Sequence, residues 1–300
     1  MHQYSSVFKD ESKLDINYVP PRLPHRTLQL DLLNQFFRSS VENPGRMAQR
    51  VLITGRIGTG KTVLSQHFGL QITKEAREKG INLQYVHVNC RECKGSLFLI
   101  LQRTISKFHP HFPKRGYSAE EILQVLVQIL DEQNLYLILT LDELDALIRS
   151  EGSEPLYNLT RIQEDRPSAP RRLSLICILR EIEHLDSLDP STRSTLQHNV
   201  IHLAEYSKSQ LRDILSDRVN LAFRVGAVSG DVLDLIAELA SSEEGDARYG
   251  IELLWRAGKY ADVSGLVEVS AECVRMAAAS VYPTVPKDAV SSLGLHEQMF

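Results

Sequence analysis

The stretch VLITGRIGTGKT, residues 51–62, decides how the rest of the chain is read. Val51, Leu52, Ile53 and Thr54 are strand-type residues, and a glycine-rich turn follows at once, ending in Gly60-Lys61-Thr62. Glycine accepts backbone conformations that other residues avoid. Gly55, Gly58 and Gly60 therefore let the chain curl until successive N–H groups face one anion. The spacing predicts a helix over Thr62 to Lys79, whose N-terminus points at that anion. Lys61 offers a point charge to outer phosphates, and the Thr62 hydroxyl offers a ligand to Mg²⁺. Gly58 to Thr62, with Thr59 inside the loop, read as a cradle for a nucleoside triphosphate. The plainer alternative is a glycine turn that binds nothing. The flanking strand and helix supply the context which that alternative lacks.

A second motif stands about 80 residues further on, in Leu137-Ile138-Leu139-Thr140-Leu141-Asp142-Glu143. An apolar strand here delivers two adjacent carboxylates at its C-terminal end, where open parallel sheets bind ligands. Asp142 is placed to hold magnesium through water, and Glu143 to polarise the water that attacks a γ-phosphate. Asp145, two residues on, reads as a cap for the next helix.

These motifs sit in an alternating pattern. Strand-like runs cover 51–54, 84–89, 135–141, 173–179 and 199–203, with helical stretches between them. Their apolar continuity suits strands covered on both faces, so the alternation predicts an α/β core with a parallel five-stranded sheet. A first helix is expected from about Leu28 to Phe37. After residue 206 the strands stop, and four helical patterns follow: Lys208–Phe223, Asp231–Ser241, Ala247–Ala261 and Ser270–Ser280. The expected organisation is an extended proline-rich segment over 1–26, an α/β domain over 27–205 and a helical lid over 206–281. Residues 282–300 read as a linker and the first turn of a further helix, or as a frayed tail.

With 300 residues, 43% hydrophobic and 24% charged, the chain is an ordinary globular protein. No signal-peptide core or bilayer-length apolar run is present, so a cytoplasmic, nucleoid-associated place and no membrane partner are expected. A net charge of −4 argues against a protein that coats nucleic acid with its whole surface. Any nucleic-acid contact must come from a local patch. From Cys93 to Ala119 lie Lys94, Arg103, Lys107, Lys114 and Arg115, with His109 and His111 and no acidic residue. Phe98, Phe108, Phe112 and Tyr117 are interleaved. The stretch reads either as a protruding element that touches a phosphate backbone and wedges a groove, or as an amphipathic helix with a solvated basic face. Of four cysteines, Cys177 reads as core; Cys90 and Cys93 form a C-x-x-C pair without a second pair, which favours structural thiols over a redox or zinc site.

Two arginines stand out by placement. Arg248 follows Gly245-Asp246, a helix stop and an N-cap, so it lies in a first turn where a cation opposes the helix dipole. Either the γ-phosphate or Glu243 and Glu244 would compensate it. Arg193 follows the N-cap and N1 pair Asp189-Pro190. It reads either as an arginine that reaches a neighbouring subunit's triphosphate or as a solvated surface group.

Taken in order, these residues resemble the archaeal origin-recognition-type replication initiators of the AAA+ ATPases. The likeness is carried by YVPPRLPHR (18–26), VNCRECKGSLFLIL (88–101), HFPKRGYSAEEIL (111–123), TLDELDAL (140–147), YSKSQLRDILSDRVNLAF (206–223) and GDARYGIELLWRAGKYAD (245–262). The resemblance implies a P-loop core with a helical lid, ATP or ADP with Mg²⁺ as ligands, and ATP hydrolysis, slow and used as a switch. It implies that Val19, Leu23 and Arg26 lie beside the adenine, that Tyr206 and Arg218 line the nucleotide pocket, and that the Lys107, Lys114 and Arg115 region meets origin double-stranded DNA. A replicative helicase, a paralogue or a second copy would be the protein partners. The family also carries a C-terminal winged-helix domain, and this chain ends where that domain would begin. One departure matters: Arg180 stands where the family carries a polar γ-phosphate sensor, usually asparagine. That change implies impaired hydrolysis with binding retained. Around Ser191-Thr192-Arg193 the family's basic pattern is only partly kept. The readings kept beside an initiator are an ADP-holding regulator or adaptor, and a transposition-assisting ATPase.

Overall fold

Apolar runs became strands because both faces of each are covered. The computed structural model describes residues 6–113, 116–162 and 168–281. Its strands are β1 (Arg50–Thr54), β2 (Leu83–Asn89), β3 (Tyr136–Asp142), β4 (Leu173–Ile178) and β5 (Val200–His202). They form one sheet in the order β2-β3-β4-β1-β5, and every pairing is parallel. Side chains alternate between faces along each strand. Val51, Ile53, Ile138, Ile176, Ile178 and Ile201 join one buried cluster with α1 (Thr27–Glu42) and α2 (Lys61–Glu78). Leu52, Leu137, Leu139, Leu141, Leu175 and Cys177 join the other. That second face is covered by α3 (Leu97–Ile105), α4 (Ala119–Glu132), α5 (Asp145–Glu151), α6 (Glu154–Arg161) and α7 (Pro190–Leu196).

Local signals set several helix starts. Ser118 and Glu121 close a reciprocal capping box at α4, and Asp189 accepts from Ser191 and Thr192 N–H at the start of α7. Each such cap contributes about 1 kcal/mol. Asp145 does not cap α5 as its sequence position suggested. It is the first residue of that helix, buried, with its carboxylate 2.5 Å from Arg149 Nη2. The first helix is longer than its apolar spacing predicts, running on to Glu42.

The described residues divide into two units: one within 19–205, which holds the sheet, and one in which residues 6–18 join residues 206–281. The expected N-terminal segment 1–26 is thus split at Tyr18. The helical unit contains α8 (Lys208–Ala222), α9 (Gly230–Ser242), α10 (Ala247–Val263) and α11 (Ala271–Val281). Ser207 and Gln210 form a capping box at α8, and Ser229 and Asp246 cap α9 and α10. Val7, Phe8 and Leu14 complete this unit's core. Phe8 pairs with Phe223, their rings 4.7 Å apart. Ser6 Oγ and Val7 N donate to the Asp262 carboxylate, and Trp255 and Lys259 donate to Glu11. The expected linker and helix over 282–300 lie outside the described residues. Among the described residues no helix is long and apolar enough to cross a membrane.

Gly258 shows how tightly the N-terminal residues are held. A Cβ there would lie 2.3 Å from Phe8 Cζ and 2.9 Å from Phe223 Cε1. Helix propensity alone would make Gly258→Ala stabilising by up to ~1 kcal/mol. The clash reverses the sign, and overpacking of this kind costs about 1–3 kcal/mol. Thermal unfolding should record that loss, with faster amide exchange at Lys9 and Asp10, whose N–H groups donate to Ala222 O.

Candidate functional site: a phosphate loop facing a buried carboxylate

The turn after β1 has the backbone its glycines predict. Gly55, Gly58 and Gly60 all have positive φ, at 146°, 76° and 88°. Gly60 is the N-cap of α2, so the first amides of that helix open onto the turn. Lys61 Nζ donates to Gly55 O and Arg56 O at 2.5 and 2.6 Å, across the loop. Thr59 is fully buried, and its hydroxyl donates to Arg56 O at 2.8 Å. Its contribution to the cradle is therefore its backbone.

Opposite the helix start lies Asp142, at the C-terminal end of β3 and 4% exposed. Thr62 Oγ donates to Asp142 Oδ2 at 2.7 Å, and Glu143 N donates to Oδ1 at 2.8 Å. His87 Nε2 lies 3.3 Å from Oδ2. Burial pushes the Asp142 carboxyl upward. The hydrogen bonds from His87 and Thr62, the His87 ring's charge and the Glu143 amide outweigh it, and the pKa lies below the ordinary value of 3.8. Behind these groups a polar chain continues along the α2 face. Thr140 Oγ donates to Tyr85 OH at 3.0 Å, Tyr85 OH donates to Ser65 Oγ at 3.2 Å, and His87 Nδ1 is 3.4 Å from Tyr85 OH. Burial raises the Tyr85 phenol to about 12, so it stays protonated as a donor. The ring lies on Gly69 of α2, where a Cβ would come within 2.3 Å of Tyr85 Cδ1.

Glu143 is set apart from its neighbour. Its φ is 50°, a conformation that costs a non-glycine residue roughly 1 kcal/mol or more. Its carboxylate is 31% exposed, and its Oε1 lies 3.9 Å from Arg180 Nη2, just past the end of β4. Arg180 also accepts through its carbonyl from Gly55 N at 3.1 Å. The residue that departs from the resembled pattern therefore touches both the phosphate loop and the candidate base.

Sequence comparison agrees with this geometry. Residues 51–202 match the ATPase family associated with various cellular activities (AAA), and residues 212–279 match the Cdc6 AAA+ ATPase-type lid domain. The chain is 36% identical over 302 residues to an ORC1-type DNA replication protein 2 of Sulfolobus acidocaldarius, covering 98% of this chain and 72% of that protein. It belongs to the ORC1-type DNA replication proteins. Two solved structures are similar to it. The Aeropyrum pernix ORC1 protein in complex with DNA superposes with a TM-score of 0.85 at 29% identity, over 98% of this chain and 75% of that one. The Aeropyrum pernix ORC2 protein in its ADPNP–ADP complexes gives 0.85 at 26%, over 97% and 76%.

Within this ORC1-type chain the other singled-out residues fall in different places. Leu23 packs on the cluster of α1 and α2, and Val19 is half-buried in the same unit. Arg26 is buried, its guanidinium on Thr59 O and Ala204 O. Tyr206 and Arg218 are buried in the helical unit. Arg218 donates to Lys13 O and Tyr18 O and stacks on the Tyr18 ring at 5.0 Å; burial depresses its pKa. Arg248 is exposed in the first turn of α10, and among the described residues neither Glu243 nor Glu244 pairs with it. Arg193 sits on α7 and pairs with Asp186 at 2.9 Å and Gln197 at 3.3 Å, contacts worth about 0–1 kcal/mol at such exposure.

In the basic stretch Lys107 is exposed, while Lys114 and Arg115 lie outside the described residues. Phe98, Phe108 and Phe112 pack against the core rather than standing free as a wedge; Tyr117 stacks on Phe112 and is 38% exposed. All four cysteines are free and buried. Burial pushes the Cys90 thiol up, and carries Cys177 to about 12.

Sequence reasoning missed His87 and Tyr85. The signal was present in QYVHVN, where polar rings alternate with Val86 and Val88 and so share one face of β2. Because the folded Asp142 is depressed below 3.8, it contributes stability that is complete above that pH and is lost as pH falls through its folded value. His87→Phe removes a donor that holds it down. Acid titration followed by circular dichroism should then show the unfolding midpoint moved to higher pH; an unmoved midpoint would mean that Thr62 and the Glu143 amide suffice.

Proposed function

We propose that this chain is a nucleotide-switched replication initiator. It holds ATP in the loop of Gly55 to Thr62, hydrolyses it slowly as a timer, contacts origin double-stranded DNA through the Lys107 region, and assists loading of a replicative helicase. The observation that carries the reading is the 2.7 Å contact between Thr62 Oγ and Asp142 Oδ2, which places two hard oxygen donors at the mouth of the phosphate loop. Such a pair fits Mg²⁺, which takes oxygen ligands and keeps several waters. Among the described residues no group of three or more His, Cys, Asp or Glu could hold a metal by itself. An ion shared with substrate phosphates suits that donor set, and it would supply charge neutralisation on the transferred phosphoryl group.

The protein's own groups then have distinct tasks. Loop amides bind the phosphate chain, and Lys61 turns from its carbonyls toward the outer phosphates. Glu143 accepts a proton from the water that attacks the γ-phosphorus as the bond to the bridging oxygen breaks, leaving ADP and phosphate. Arg248 is the candidate reporter of the γ-phosphate, and Arg193 a candidate to act on a neighbouring copy's nucleotide. The DNA-bound and ADPNP-bound relatives support the DNA and nucleotide parts of this reading.

A regulator or adaptor that holds its nucleotide for long periods is the second reading, favoured by the ion pair that engages Glu143. Duplex DNA binding measured over a salt series, with ATP and then with ADP, separates the two. An initiator should lose affinity steeply with salt and differ between nucleotides. No salt slope and no nucleotide dependence would favour the adaptor.

Arg180→Asn removes the cation beside Glu143 and keeps a polar group. Single-turnover hydrolysis should speed up, while ATP affinity changes little. An unchanged rate would remove Arg180 as the source of slowness.

A further inference from the structure

Four contacts link the end of β1 and the phosphate loop to Leu203–Ala204–Glu205, the last residues before the chain leaves the sheet unit at Tyr206. Leu203 N donates to Thr54 O at 2.8 Å. Gly55 lies so near Leu203 that a Cβ would come within 2.4 Å of its carbonyl oxygen. Arg56 pairs with Glu205 at 3.2 Å, with both side chains about half exposed. The fourth contact differs in kind. The Arg26 guanidinium, 5% exposed, grips Thr59 O through Nε at 3.2 Å and Nη2 at 2.9 Å, and Nη2 reaches Ala204 O at 2.6 Å.

We propose that Arg26 is a positioning residue of the phosphate loop and acts through Thr59 rather than on the base of the nucleotide. The inference rests on the reading that the loop binds a triphosphate. Its physical basis is the planarity of the peptide unit. The Thr59 carbonyl and the Gly60 N–H share one plane and point opposite ways. Holding the carbonyl from outside the turn therefore aims the Gly60 N–H into it. Gly60, with φ of 88° and no side chain, has nothing of its own to fix that plane. A planar fork can hold Thr59 O and Ala204 O together, whereas a lysine ammonium is a single point on a flexible stem. The donors Nε and Nη2 are committed to backbone carbonyls, which is not the arrangement of an adenine contact.

The experiment compares two ligands in one buffer with Mg²⁺: ATP, and inorganic tripolyphosphate, which has no base. Calorimetry is run on the full chain, on Arg26→Met and on Arg26→Lys, with folding checked by circular dichroism. Arg26→Met should weaken both ligands by the same factor, roughly 10- to 100-fold, the loss associated with one charge-assisted hydrogen bond. Arg26→Lys should recover part of that loss for both. A fall for ATP with tripolyphosphate unchanged would overturn the inference in favour of a base contact. Unchanged affinity for both ligands would overturn it as well. If Arg26→Met does not fold, the same comparison on Arg26→Lys decides, because the ratio between the two ligands distinguishes loop from base. A wild-type chain that binds neither ligand rejects the nucleotide reading itself, and this inference falls with it.

Discussion

The sheet unit is organised around one buried carboxylate. Asp142 loses most of its water, and an ionised group in that position would be costly without partners. Thr62, His87 and the Glu143 amide surround it, coming from α2, β2 and the turn after β3. Each partner must be in place for the others to be worth placing. The phosphate loop ends where Thr62 begins to point at Asp142, so the same contact that satisfies the carboxylate also sets the start of α2. Because β3 is separated from β1 by β4, the contact also ties the helix that follows β1 to a strand with which β1 does not pair.

Around that centre the polar and apolar faces of the sheet are unequal. One face is apolar almost throughout, under α3 to α7. The α2 face carries Tyr85, His87, Thr140 and Asp142 in a connected line among its isoleucines. A buried network of this sort is stabilising only when its members find partners. Here Ser65 and Thr62 of α2 supply them. The consequence is a helix held by hydrogen bonds at its first turn and by apolar contact, through Phe68 and Ile72, further along.

Much of this was legible in the chain itself. The strands fall within a residue or two of their apolar runs, because residues covered on both faces leave little room for polar interruption. The loop was legible because three glycines, a lysine and a threonine must sit at fixed spacing to do their work. Arg26 was not legible as a brace: its partners are Thr59 and Ala204, 33 and 178 positions away, and nothing local marks a guanidinium as facing carbonyls. Asp145 misled for a related reason. Acidic residues after a strand do often cap helices, but here the helix begins one residue earlier and Arg149 takes the carboxylate. The capture of Val7, Phe8 and Leu14 by the helical unit left no periodic trace, since one isolated bridge and a four-residue 3-10 helix (Glu11–Leu14) are too short to show one.

That capture has a consequence for synthesis on the ribosome. Ser6 and Asp262 are 256 positions apart, and Phe8 meets Phe223 only after the whole sheet unit has been made. Domains generally form as they emerge, amino end first. Here the sheet unit can close on itself while the residues before it still wait, solvated, for helices not yet translated. Residues 6–18 thus find their place only after the helices of 206–281 have been made.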